Sequence, residues 1–127
     1  MCPTAIKPEN VLLQSEHAGH RFIVTSNGLG YRCGYVRVEQ GHPWHGADAF
    51  NMHVDVHGGA TFSEADTEDG SWWVGFDCAH LWDAQDPSLL AKGEYRMRDH
   101  DGDTIKDTPY VEAECRRLCE QARDAKG

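Results

Sequence analysis

Basic residues are scarce in this chain: 12 Lys and Arg stand against 21 Asp and Glu, for a formal net charge of −9. With no Lys/Arg stripe to offset that excess, direct binding to a nucleic-acid backbone is disfavoured. The acidity reads first as solubility, and then as a cationic partner surface or mimicry of nucleic acid. No run approaches the ~20 apolar residues of a membrane span. The opening MCPTAIKPENVLL lacks a basic region followed by an apolar block, so no secretory signal is expected. An odd count of five cysteines without an export signal points to reduced thiols and a cytoplasmic setting.

Several chemical signatures are missing too. Neither CxxC nor HExxH occurs, no residue has the surroundings of a nucleophile elbow, and no phosphate-cradling Gly-rich loop precedes a helix. Asp99, Asp101 and Asp103 have calcium-loop spacing. Thr104 and Tyr110 stand where that loop needs Gly and a closing Glu, so the stretch reads as a solvated acidic turn.

What is present suits one domain over 1–127, a length that buries about two thirds of the unfolded surface. Residues 1–20 are the part expected to be loosely attached, with Pro3 and Pro8 breaking the lead-in. Glu9–Ala18 reads as a short helix, with a strand over Asn10–Gln14 an equal contender. Arg21–Ser26, the Asn27-Gly28 turn and the alternating Tyr31–Glu39 make a hairpin. Gln40–Phe50 reads as an ordered loop carrying Trp44, and Asn51–Val56 as a further strand. Gly58-Gly59 then marks a bulge or a close backbone approach. Ser71–Cys78 is the strongest strand: Trp72, Val74, Phe76 and Cys78 share one face, and Trp73, Gly75 and Asp77 the other. Leu81–Lys106 looks irregular, with a short edge strand at Glu94–Met97. The final helix spans 108–126, with Thr108 as its cap, Pro109 in its first turn, and Val111, Cys115, Leu118 and Ala122 as its buried stripe. The predicted class is α+β: an antiparallel sheet of about four to five strands with the C-terminal helix packed on one face.

The densest chemistry lies between residues 41 and 80. If Met52, Val54 and Val56 meet the Trp72 face under the helix, then His53, Asp55, His57, Trp73 and Asp77 share the opposite face. His57 beside Asp77 is the minimum equipment for general acid–base work, with Gly75 leaving room for a ligand. The plainer alternative is that both side chains satisfy backbone groups freed by Gly58-Gly59. His42, His57, Cys78 and His80 could hold zinc. His53 and His57 are ~13 Å apart on a strand, too far to share one ion. A buried, inert Cys78 is the common alternative.

GYRCGYVRV, GHPWHG, DVHGGATF, WWVGFDCAH and YVEAECRRLCEQ resemble segments of a family of small hypothetical proteins encoded in bacterial and phage genomes. That resemblance runs from about Gly28 to Gln121. It implies one compact cytoplasmic domain and transfers no activity, cofactor or catalytic residue.

These observations lead to a binding protein as the first functional expectation. Its pocket would be formed by His42, Trp44, His57, Trp73, Asp77 and His80. Its partner would be a small molecule or a host protein, and phage carriage associates it with blocking a defence system by occupying a protein surface or sequestering a nucleotide signal. The rivals are a hydrolase-like enzyme using His57 and Asp77 as its catalytic pair, with or without zinc, and a protein-interaction module acting through Glu64–Asp69 and Asp99–Asp107. Oligomeric state is left open.

Overall fold

The computed structural model describes residues 7–66, 68–79, 83–89 and 104–125. Five strands form one antiparallel sheet, β1 (Val11–His17), β2 (His20–Ser26), β3 (Arg32–Val38), β4 (Phe62–Ala65) and β5 (Trp72–Asp77), in the order β1-β2-β3-β5-β4. Two short strands, β6 (Asp83–Ala84) and β7 (Thr104–Ile105), pair in parallel. The chain closes with α1 (Thr108–Asp124), which packs on β2 and β3, so the predicted α+β class is the one observed. No helix among the described residues is long and apolar enough to cross a membrane.

At the N-terminal segment the strand is the observed one of the two expected readings. Residues 11–17 form a sheet strand that runs past the expected Asn10–Gln14, turned into β2 by Ala18 and Gly19 at φ 51° and 83°. An alanine in the left-handed region is a weak turn signal, because only glycine enters it without steric cost. From residue 11 onward this segment is tied into the sheet, with Leu13 against the core.

Alternation on β3 and β5 sends Val36, Val38, Phe76 and Cys78 to the helix side, where Val111, Cys115, Leu118, Cys119 and Ala122 meet them. Cys33, Tyr35 and Trp73 go to the other side and cluster with Ile23. Two glycines make this possible. Gly34 is the cross-strand partner of Phe76, and Tyr35 that of Gly75. A side chain at Gly34 would meet the Phe76 ring 2.5 Å away, and one at Gly75 would strike the Tyr35 ring. Each glycine thus receives the aromatic ring opposite it, one on each face, an arrangement that compensates for the missing side chain. The room above Gly75 holds Tyr35 rather than a ligand.

The expected strand at Asn51–Val56 is replaced by a 3-10 turn at Ala49–Asn51 and extended backbone without a ladder. Its alternation survives: Met52, Val54 and Val56 pack inward while His53 and Asp55 are exposed. The helix supplies the missing partner. The Gln121 carboxamide accepts from Asp55 N–H (2.8 Å) and donates to Asp55 C=O (2.7 Å), as a neighbouring strand would.

At the helix start the cap is Asp107, whose Oδ1 accepts from Tyr110 N–H at 3.0 Å. Thr108, the expected cap, instead accepts from the buried Arg32 guanidinium (3.0 Å), which also pairs with Asp86 (2.9 Å). On the helix, Arg116 and Glu112 form a half-exposed ion pair at 2.8 Å, and Arg117 pairs with Glu114 at 2.7 Å. Glu114 is buried and also serves the loop containing His57.

Candidate functional site

His57 sits in the turn that follows the extended segment, against the first turns of α1. Its backbone N–H donates to Glu114 Oε1 at 2.8 Å, and its ring joins helix and loop. Nε2 lies 2.9 Å from Asp83 Oδ2, and Nδ1 lies 2.8 Å from the Tyr110 hydroxyl. A carboxylate only accepts, so Nε2 carries the proton and Nδ1 receives the Tyr110 O–H in the neutral ring. Asp83 has a side chain with no exposure to solvent, and Lys106 Nζ stands 3.2 Å from its Oδ1. The Lys106 ammonium also lies over the Tyr110 ring, 5.7 Å from its centre.

Cys78, the residue after β5, completes the group. One donor atom each from His57, Cys78 and Asp83 fall within 4.8 Å of one another. Donors around a tetrahedral zinc ion are roughly 3.3–3.8 Å apart, so a modest contraction would enclose one. Burial, reinforced by the negative Asp83, pushes the Cys78 thiol well up, so in the metal-free protein it is neutral and a poor nucleophile. Burial and then Glu114 likewise raise the Tyr110 phenol, which remains a hydroxyl donor. A divalent ion reverses this logic for the thiol, since coordination favours the thiolate.

Asp77 is not the carboxylate on His57. It faces away from the helix, opposite Cys33 across the sheet, and its Oδ2 accepts from the Thr61 hydroxyl at 2.9 Å. His57 has left the sheet for the helix side, because its segment pairs with α1 rather than with β5. The shared surface of His57 and Asp77 therefore does not form, and Asp83 takes the acidic position.

Trp73 cannot offer a stacking face. It is buried to 1% exposure, with its indole N–H donating to Asp66 Oδ2 at 2.7 Å. His42 is committed elsewhere: Nδ1 accepts from Trp44 N–H (2.9 Å) and Nε2 donates to Ala122 C=O (2.8 Å) near the helix C-terminus. From Glu114 to Ala122 the helix advances about 12 Å, so His42 and His57 cannot share an ion. Trp44 packs onto the helix-side core beside His42, covering the sheet rather than a pocket. His80, the Glu94–Met97 strand and the acidic run at 99–103 lie outside the described residues.

Asp83, Lys106, Tyr110 and Glu114 are the site residues that sequence reasoning missed. Asp83 and Lys106 lie in a stretch without periodicity, Tyr110 stands out only as the mismatch in the calcium pattern, and Glu114 reads as one more acid on the helix. Only the spacing of Cys78 and Asp83 after the strongest strand could have pointed to them.

The opposite face carries a second feature, an open depression of about 440 Å³ whose lining includes Cys33, Tyr35, Phe50, Thr61, Phe62 and Asp77. Tyr35 and Phe62 meet edge to face at 5.0 Å. Burial pushes the Cys33 thiol up to about 11.

No family model, curated protein or solved structure matches the chain.

Proposed function

We propose that this protein binds a divalent transition metal, with zinc the best fit, through His57, Cys78 and Asp83. The observation that carries this reading is the convergence of imidazole, thiol and carboxylate within 4.8 Å at a buried place. Nitrogen and sulfur donors favour zinc over magnesium or calcium, which prefer oxygen. Tyr110 is positioned as the outer partner of the imidazole: once Nε2 binds the ion, Nδ1 holds the proton and donates it to the Tyr110 oxygen. Three donors leave a fourth tetrahedral position for water or a further side chain, the arrangement used for metal-assisted hydrolysis. This supports the enzyme alternative with Asp83 in place of Asp77, and with the metal rather than a free His base at its centre.

Binding releases the Cys78 proton, so affinity rises with pH. The test uses protein purified without a His tag and stripped with a chelator. Titration with cobalt(II) is expected to reach one equivalent with a thiolate-to-cobalt absorption band. Cys78→Ser abolishes that band, while His57→Ala and Asp83→Asn each weaken zinc by more than the roughly 10–100-fold that loss of a ligand's outer partner costs. A cobalt spectrum unchanged in Cys78→Ser, or no stoichiometric zinc uptake, would overturn the reading.

A further inference from the structure

Of the asparagines in this chain, only Asn27 is followed by glycine: Asn10 precedes Val11 and Asn51 precedes Met52. A side chain on the following residue obstructs attack of its backbone nitrogen on the asparagine carboxamide, and glycine has none. Asn27 and Gly28 are exposed, and a side chain built at Gly28 would meet nothing within 4 Å, so the approach is open. We propose that Asn27 is a self-modification site. The Gly28 nitrogen closes on the Asn27 carboxamide, ammonia leaves, and solvent water opens the resulting succinimide to an aspartyl or an isoaspartyl residue.

In the first step the Gly28 nitrogen sheds its proton and bonds to Asn27 Cγ, and negative charge develops on Asn27 Oδ1. The Cγ–Nδ2 bond then breaks, and Nδ2 takes up a proton and departs as ammonia. Two backbone donors already point at the oxygen that becomes negative, Leu29 N–H at 2.8 Å and Tyr31 N–H at 3.2 Å. Donors fixed where charge develops lower a barrier because they need no reorganisation. The Gly28 N–H donates to Ser26 Oγ at 3.2 Å, an acceptor through which its proton can pass to solvent. Asp69-Gly70 is the contrasting case. Asp69 Oδ1 likewise accepts from the N–H two residues on, at 3.0 Å, but hydrogen bonds from Ser71 and then Arg37 hold its carboxyl well below the usual carboxylate range. An ionised carboxylate resists nucleophilic attack, so that turn stays inert.

The two products act differently on the turn. Aspartyl at this position keeps an oxygen acceptor for both amides. Isoaspartyl routes the main chain through the former side chain, lengthens it by a methylene group, and displaces the oxygen from the Leu29 and Tyr31 amides. The same turn also holds the residues that follow β6. Gln85 Nε2 donates to Leu29 C=O at 2.8 Å, and Asp86 N–H donates to Gly30 C=O at 2.7 Å. Isoaspartyl formation therefore loosens the end of the β2–β3 hairpin and the Gln85-Asp86 segment together.

The full chain is aged in mildly alkaline buffer, folded and in parallel unfolded in urea, and mapped by mass spectrometry that separates aspartyl from isoaspartyl peptides. Asn27 is expected to convert ahead of Asn10 and Asn51, and at least as fast in the folded protein as in urea. Ser26→Ala should slow the folded reaction several-fold and leave the rate in urea little changed. In the aged isoaspartyl product, hydrogen exchange at the Leu29, Tyr31 and Asp86 amides should quicken, whereas Asn27→Asp should keep them protected. Slower conversion in the fold than in urea, Asn51 reacting ahead of Asn27, or a folded rate untouched by Ser26→Ala would overturn the proposal. The reaction uses none of the donors His57, Cys78 and Asp83, so this modification and metal binding stand or fall separately.

Discussion

Asp77 and Asp83 are near neighbours in the chain and face opposite environments. Asp83 is sealed beneath the helix side, where a buried carboxylate must be matched by charge and hydrogen bonds, and His57 and Lys106 supply both. Asp77 lies on the open side at the rim of an aromatic depression, held by a hydroxyl and a backbone amide. The same residue type therefore becomes part of a closed His/Cys/Asp cluster in one place and a half-buried carboxylate beside a depression in the other. The difference comes from what packs on each face: α1 brings Tyr110 and Glu114 to the first, while strand residues and the loop residues Thr61 and Ala79 border the second.

The sharpest way to break this contrast is to delete each carboxylate. Asp83→Ala leaves Lys106 facing a buried void and removes the partner of His57, so it should cost about 3 kcal/mol in the metal-free protein. Asp77→Ala should cost about 1 kcal/mol or less, the worth of ordinary hydrogen bonds. Urea unfolding of both variants decides it, and equal losses would show that the faces are not distinct. Next in size are the glycines that seat the rings. Gly34→Ala and Gly75→Ala should each cost about 1–3 kcal/mol by overpacking, so here the two faces should respond alike. Unfolding curves in which only one substitution matters would mean that one ring moves aside.

A smaller effect separates the faces through zinc titration. Lys106 is the cation that Asp83 faces without metal, so Lys106→Met should tighten zinc by roughly tenfold, ~1.4 kcal/mol. Asp77→Asn should leave zinc affinity alone. Competition with a chromophoric chelator measures both, and weaker zinc binding in Lys106→Met would refute the competition. The last comparison is alkaline. Cys33 keeps its proton to about 11 in the fold against 9.0 for an ordinary thiol, so the unfolded chain ionises first. Stability contributed by this residue is complete below pH 9.0 and is lost as pH rises toward about 11. The wild-type stability curve should fall more steeply there than that of Cys33→Ala; parallel curves would rule the contribution out.

The sheet was legible where alternation and turn residues agreed. The β2–β3 hairpin, both faces of β5 and the helix stripe could all be read from the residues. The first strand was ambiguous because Ala18-Gly19 carries little turn signal. Met52–Val56 was misread because its period of two is real while its partner is the Gln121 side chain, which no strand pattern reveals. That single misplacement carried His57 to the wrong face and joined it to Asp77. His57 and Cys78 were nonetheless recognised as metal-ligand types, and Asp83 was hidden because a two-residue strand has no period to detect. No residue at either site bears on the host-defence expectation.

The Gly34–Phe76 and Tyr35–Gly75 pairs also bear on assembly of the sheet. Sliding β3 against β5 by two residues preserves the inside and outside of every side chain, so hydrophobic patterning alone cannot forbid it. In the displaced alignments Tyr35 would sit opposite Trp73 or Asp77, and Phe76 opposite Arg32 or Val36, and both rings would lose their vacant seats. The central strands are thus keyed on both sides at once, a checkpoint that a growing sheet meets as soon as these two ribbons zip together.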